Sequence, residues 1–411
     1  MPPSHGSAIP VETPPAKLHG FMSMIKPAGA QCNMECAYCY YLHKQERLRQ
    51  PERPRMSDRL LEEYIRQTIA AHTGSEVVFS WQGGEPTIMP LAFFERVVSL
   101  QDKYRKPGQS IENDLQTNGA SLDETWCAFL KAHRFLVGIS IDGPQQLHDV
   151  YRHSAGGKST FARVMRSVEL LHRFEVPFCS LSVVNRTNAT RALEVYRFLR
   201  DEVRPRMIQF IPCVEPAGFE QAVHGECGGA FPAHGAARKK APAVTGWSVL
   251  PEDWGWFLCR IWDEWMGRDF GRVFVDQFEN IISLMFGHGA TKCVNGRYCG
   301  HAVMLEHNGD MYSCDHFGYP DFLLGNALQT DVADLVNSTR QRQFGMAKSS
   351  TLPTCCRSCA YLALCWGECP KNRFAYTPAG EPGLNYLCPG MKIFYARATG
   401  DYRRLKKRLA R

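Results

Sequence analysis

The chain has no run of about eighteen apolar residues, the length a membrane-spanning helix needs, and its first twenty residues, rich in Pro and His, contain no hydrophobic signal core. An integral membrane protein is thereby excluded as an expectation, and the reading is cytoplasmic. Charge of one sign is also in short supply: 48 Lys and Arg stand against 41 Asp and Glu, a formal net charge of +7. Basic residues interleave in the tail DYRRLKKRLAR, but no wider basic surface with stacking aromatics accompanies them, so nucleic acid is not the expected partner. The tail reads as a solvated helix face. With 44% apolar and 22% charged residues over 411 positions, the chain can bury one barrel-sized domain and a smaller one.

What the chain has in abundance is cysteine, 17 in all. Without an export signal disulfides are disfavoured, and clustered cysteines read as metal ligands. Cys32, Cys36 and Cys39 lie in CNMECAYC, and nine more lie between Cys293 and Cys388. The remainder, Cys127, Cys179, Cys213, Cys227 and Cys259, are scattered and read as ordinary thiols.

Residues 1–20 read as a flexible lead-in. From 21 to about 235 short apolar runs alternate with helix-periodic ones, as in β/α units. Strands are expected at 23–26, 76–81, 111–117, 136–141, 178–184 and 207–211, and helices at 57–73, 91–103, 123–132, 160–174 and 189–202. Six such units imply a parallel α/β sheet closed only partly into a (β/α)6 TIM-like barrel. Residues 217–243, rich in Gly, Ala and Lys, read as a loose insertion or lid. Residues 236–292 form a linker and helical region, in which 251–267 reads as an amphipathic helix with Trp254, Trp256, Trp262 and Trp265 packed in the core. Residues 293–395 form a small Cys-rich domain thin in apolar residues, which metal ligation would stabilise. A basic helix or tail closes the chain at 396–411.

Chemistry-bearing runs fall at the C-terminal ends of the expected strands, the rim on which β/α barrels assemble their sites. Three thiolates at the spacing of Cys32, Cys36 and Cys39 can hold three irons of a cubane cluster and leave the fourth open. A structural zinc site is the alternative, for which His43 would be a weak fourth ligand. In QGGEPT, Gly83 and Gly84 let the backbone approach a ligand closely, and Glu85 could hydrogen-bond or neutralise an ammonium group. Gln116, Thr117 and Asn118 in LQTNG, with Ser140 and Asp142 in SIDG, offer small polar groups for ribose hydroxyls or a carboxylate. Asn118–Gly119 and Asp142–Gly143 could equally be turns. Tyr41 and Gln82 are expected to line a reaction cavity or simply to pack locally.

The CxxxCxxC motif followed by an aromatic resembles the cluster loop of the radical S-adenosylmethionine (SAM) enzymes, and the CxxCx5CxxxC run beginning at Cys356 resembles the SPASM domain, which carries two auxiliary four-iron clusters. Together with QGGEPT, LQTNG, SIDGP and YSCD, these motifs resemble the anaerobic sulfatase-maturating enzymes. The resemblance implies three 4Fe-4S clusters and SAM. Cys32, Cys36 and Cys39 would hold the first cluster, Cys293, Cys299, Cys314 and Cys369 the second, and Cys356, Cys359, Cys365 and Cys388 the third, with Cys355 spare. It further implies SAM contacts from Gly83, Gly84, Glu85 and Arg152 and a general base at Asp315. The implied reaction oxidises a Cys or Ser side chain in an unfolded or nascent sulfatase segment of the C/S-x-P-x-R type to Cα-formylglycine. A low-potential donor such as flavodoxin or ferredoxin would supply electrons, and the enzyme would be a monomer. The alternatives are a SPASM enzyme that modifies a different ribosomal peptide, and an iron–sulfur electron carrier without catalysis.

Overall fold

The computed structural model describes residues 20–218 and 243–409. The lead-in and nearly all of the 217–243 segment, with Cys227, lie outside the described residues. Strands β1 (Met22–Lys26), β2 (Glu76–Trp81), β3 (Ser110–Thr117), β4 (Leu136–Ser140), β5 (Phe178–Val184) and β6 (Met207–Pro212) form where apolar and β-branched residues alternate, and they pair in parallel in chain order. Val77, Phe79 and Trp81 on one face of β2 are fully buried. On the other face Ser80 of β2 donates to Asp114 of β3 at 2.5 Å, the period-two division expected of a strand.

Helices cover the sheet and start at capping residues visible in the sequence. Ser57 accepts from the Leu60 amide ahead of the helix Asp58–Ala71, and Asp123 from the Trp126 amide ahead of Glu124–Ala132. The helix expected at 189–202 is instead three pieces: a 3-10 turn Ala189–Arg191, an α-helix Ala192–Phe198 and a π turn Leu199–Val203. The wide turn keeps Leu199 and Val203 buried while Arg200 reaches Glu264 at 2.8 Å and Asp269 at 2.9 Å. The tryptophan-rich stretch forms the helix Pro251–Glu264 and a π turn Trp265–Asp269. Trp254, Trp262 and Trp265 are in the core, but Trp256 is 56% exposed; it lies on the outward face of that helix, contrary to expectation. The same helix crosses Cys388–Gly400 at Gly255 and Gly390, where a Cβ on either glycine would collide with the other helix's backbone.

The Cys-rich segment does more than the sequence indicates. Its strand β8 (Ala302–Glu306) pairs in parallel with β1, and β9 (Asp310–Tyr312) and β10 (Leu323–Asn326) continue the sheet antiparallel. A short strand β7 (Phe274–Val275) pairs with β6 at the far edge, giving ten strands in the order β10-β9-β8-β1-β2-β3-β4-β5-β6-β7. Val303, Met304, Leu305 and Met311 are fully buried, so this segment contributes apolar core of its own. The register sets Lys26 beside Glu306. In the C-terminal helix Tyr402–Leu409, Leu405 is buried and Arg404 and Arg408 donate to the carbonyl of Met266. Among the described residues no helix is long and apolar enough to cross a membrane.

Candidate active site

The loop after β1 brings the first three thiols together. Cys32 Sγ accepts from the Met34 amide at 3.4 Å and from Asn118 Nδ2 at 3.6 Å. Burial pushes the Cys32 thiol up to about 12, and Glu85 and the Cys36 and Cys39 sulfurs add to the rise; burial likewise pushes Cys36 up to about 11. Thiols so placed need a cationic partner to ionise, which bound iron would supply. The QGGEP run packs directly on this loop. The Gly84 amide donates to Gly29 O and the Glu85 amide to Gln31 O, both at 2.9 Å. A Cβ on Gly84 would clash with the carbonyls of Ala30 and Gln31, so the close backbone approach read from the glycine pair is here made to the cysteine loop. Glu85 is buried and accepts from Thr87 N, Thr87 Oγ1, Thr117 Oγ1 and Asn118 N at 2.6–3.0 Å. Its carboxylate thus ties the strand ends of β2 and β3 together.

On the far side of the loop, Arg152 and Asp142 are both buried, 3.7 Å apart, and Tyr38 lies between them, accepting from Arg152 at 2.8 Å and donating to Asp142. Arg152 Nε is buried without a hydrogen-bond partner, and the guanidinium is close enough to Cys36 to pull against the rise of its thiol. Gln116 donates to Ser140 Oγ at 3.0 Å and Gln82 to Ser80 Oγ at 2.7 Å. These side chains line one rim from β2 to β4.

Asp315 joins the barrel to the Cys-rich segment. It is 6% exposed, pairs with Lys26 Nζ at 2.5 Å, and accepts from Tyr40 OH. Burial alone would raise its carboxyl, but Lys26 and Lys44 hold it well below the ordinary carboxylate range. Lys44 donates to the Asp315 carbonyl at 3.0 Å and lies over the rings of Tyr40 and Tyr41. Burial lowers Lys44 to about 8. Tyr41 donates to Glu306 and is buried, so its hydroxyl is taken up by β8. In the sequence Tyr40 stands out only as the aromatic that follows Cys39, and Lys26, Lys44 and Glu306 do not stand out. The one available signal was a lysine closing an otherwise apolar strand at the rim; its partner is far along the chain and no local pattern points to it.

The remaining ligand candidates fall into two groups. Cys314 interacts electrostatically with Cys369, Cys293 and Cys299. Cys356, Cys359, Cys365 and Cys388 line a single pocket, with Cys355 as a fifth thiol at its exposed edge. Among the described residues no three His, Cys, Asp or Glu side chains converge as on a single metal ion; the thiols of the second group instead line a shared cavity. The two groups lie in one segment, bridged by the loop from Cys365 to Cys369. His316 Nδ1 is 3.3 Å from Cys369 Sγ, and its ring meets Tyr40 edge-on, so the first group and Asp315 share neighbours. Cys127, Cys179, Cys213 and Cys259 are buried.

Comparison with known proteins adds to this geometry. Residues 27–199 match the radical SAM superfamily and residues 293–360 the SPASM iron–sulfur cluster-binding domain. A serine-type anaerobic sulfatase-maturating enzyme of Bacteroides thetaiotaomicron is 42% identical over 94% of this chain and 91% of its own length. A cysteine-type anaerobic sulfatase-maturating enzyme of Clostridium perfringens is 30% identical over 91% of this chain and 95% of its own. Among solved structures, native anSMEcpe with bound AdoMet and Cp18Cys peptide superposes with a TM-score of 0.80 at 28% identity, covering 94% of this chain and 99% of that one.

Proposed function

Because this chain belongs to the anaerobic sulfatase-maturating enzymes of the radical SAM superfamily, we propose that it oxidises the Cβ of a Cys or Ser in a sulfatase peptide segment to Cα-formylglycine, with Asp315 as the base. The observation that carries the assignment of roles is the place of Asp315, one residue from Cys314 and ion-paired to Lys26 at the end of β1. Bound at these residues, an open cluster with SAM would supply radical hydrogen abstraction, and two auxiliary clusters, making three in all, would supply an acceptor for the second electron.

The chain's own residues do the rest. Cys32, Cys36 and Cys39 hold the open cluster, and the backbone of Gly83 and Gly84, with Arg152, Gln116, Asn118 and Ser140 on the rim, orient SAM. Glu85 and Asp142 act largely by fixing that rim, since their carboxylates are satisfied by the chain itself. Asp315, ionised between Lys26 and Lys44, accepts the hydroxyl or thiol proton of the target residue at a carboxylate oxygen. A serine then yields the aldehyde directly, and a cysteine a thioaldehyde that water hydrolyses. Gln82 offers its amide to the backbone of an extended peptide. Cys293, Cys299, Cys314 and Cys369 would hold one auxiliary cluster, and Cys356, Cys359, Cys365 and Cys388 the other. The enzyme works in the cytoplasm as a monomer, reduced by a flavodoxin or ferredoxin.

The test is anaerobic incubation of the reconstituted protein with SAM, a low-potential reductant and C-x-P-x-R or S-x-P-x-R peptides, read by mass spectrometry. Aldehyde formed in step with 5′-deoxyadenosine supports the proposal. SAM cleavage with both peptides unchanged would move the substrate to another ribosomal peptide.

A further inference from the structure

The loop joining the two auxiliary thiol groups has an unusual backbone. Trp366, Gly367 and Glu368, between Cys365 of one group and Cys369 of the other, are all left-handed, with φ of 45°, 70° and 56°. Two of the three are not glycine, so the conformation is strained and needs a compensating contact. That contact is a guanidinium. Arg373 Nε donates to Gly367 O at 2.9 Å, and its terminal nitrogens to Trp366 O, to Glu368 O at 3.4 Å and to Lys348 O at 2.5 Å. Left-handed residues in succession turn their carbonyls to one side, and here that side wraps a cation. A Cβ on Gly367 would collide with the guanidinium itself.

Arg373 is 5% exposed, and none of its hydrogen bonds reaches a carboxylate. A buried cation ordinarily has an anionic partner. The ionisable groups that act on it most strongly are Cys299 and Cys369 of the first group and Cys365 and Cys356 of the second. Lys348 makes a one-sided contrast. It is fully buried, spends its three bonds on the carbonyls of Cys293, Val294 and Gly296, and acts on Cys299, Cys293 and Cys369 of the first group.

We infer that Arg373 is the shared countercharge of both auxiliary cluster sites, caged by the left-handed loop between them, and that it raises the reduction potential of both clusters together. The inference rests on the reading that the two thiol groups hold clusters. Adding an electron adds negative charge, which a fixed cation in a poorly screened interior favours, and net charge and burial are among the properties that set cluster potentials. Arg373 touches neither peptide nor SAM in this role; it is a positioning residue that makes the clusters ready acceptors of the substrate's second electron.

The experiment is a potentiometric titration of the reconstituted full chain followed by EPR, with the N-terminal cluster distinguished by the response of its signal to SAM. In Arg373→Met both auxiliary midpoints should fall and the N-terminal one stay. Lys348→Met should lower one auxiliary midpoint only. Arg373→Lys keeps the charge and should leave both auxiliary midpoints near their original values even where thermal stability drops, so a fall of both in that variant overturns the inference whether or not the Met variant folds. Unmoved potentials, or a shift of one cluster alone, in Arg373→Met also overturn it. Iron and sulfide content of the unsubstituted protein too low for two auxiliary clusters would instead overturn the reading beneath it.

Discussion

At the scale of single residues, charge is placed where burial would otherwise remove it. Asp315 stays ionised because Lys26 and Lys44 face it from the barrel side. Asp315→Asn keeps the shape and removes the basicity; formylglycine formation should fall about 10²–10⁴-fold while SAM cleavage, measured as 5′-deoxyadenosine, persists. Loss of both activities together would argue for a structural role. Asp114 shows the opposite case. Burial pushes its carboxyl up to about 6, against the Ser80 hydrogen bond that lowers it. The folded state therefore holds that proton more tightly than the unfolded one, and the resulting loss of stability is absent below the ordinary value of 3.8 and complete above about 6. Asp114→Asn should gain stability relative to the parent as pH rises from about 3.8 to about 6, by at most about 3 kcal/mol, seen in urea midpoints; a difference that is constant with pH would refute it.

At the scale of elements, what was legible in the sequence was whatever depends on near neighbours. Strands β1 to β6 and most of the helices begin and end within about two residues of their expected bounds because alternation, caps and glycine turns are local signals. The cysteine spacing was legible for the same reason. Strand β8 was not: five residues among glycines and cysteines form a strand only because β1 is there to pair with them. The Lys26–Asp315 pair and the cage round Arg373 were invisible alike, since each joins residues distant in sequence or depends on backbone dihedrals. Two close approaches make element-level predictions. Gly84→Ala should push the QGGEP run off the cysteine loop, lowering the iron bound at Cys32, Cys36 and Cys39 while the auxiliary iron stays, as Mössbauer spectra of the reconstituted protein would show. Gly255→Ala should wedge apart the helices Pro251–Glu264 and Cys388–Gly400 at a cost of about 1–3 kcal/mol; an unchanged melting temperature would mean that the crossing relaxes freely.

At the scale of the whole molecule, one sheet runs through both the barrel and the Cys-rich segment. Removal of residues 293–411 would strip β8 from β1 and leave Ile25 and its neighbours at an open edge. We predict that residues 1–292 made alone are aggregated or lack a cooperative thermal transition by circular dichroism; a soluble fragment that melts cooperatively would contradict this. The parallel register that sets Lys26 beside Glu306 carries a mechanical meaning. Among the described residues the strands of the barrel and of the Cys-rich segment share one hydrogen-bonded sheet rather than meeting at a separable seam. Sliding β8 by one residue would turn Glu306 to the opposite face, parting it from Tyr41. The span between Tyr41 on the cysteine loop and Glu306 on β8 is therefore held by ladder hydrogen bonds, like a rung fixed in a frame.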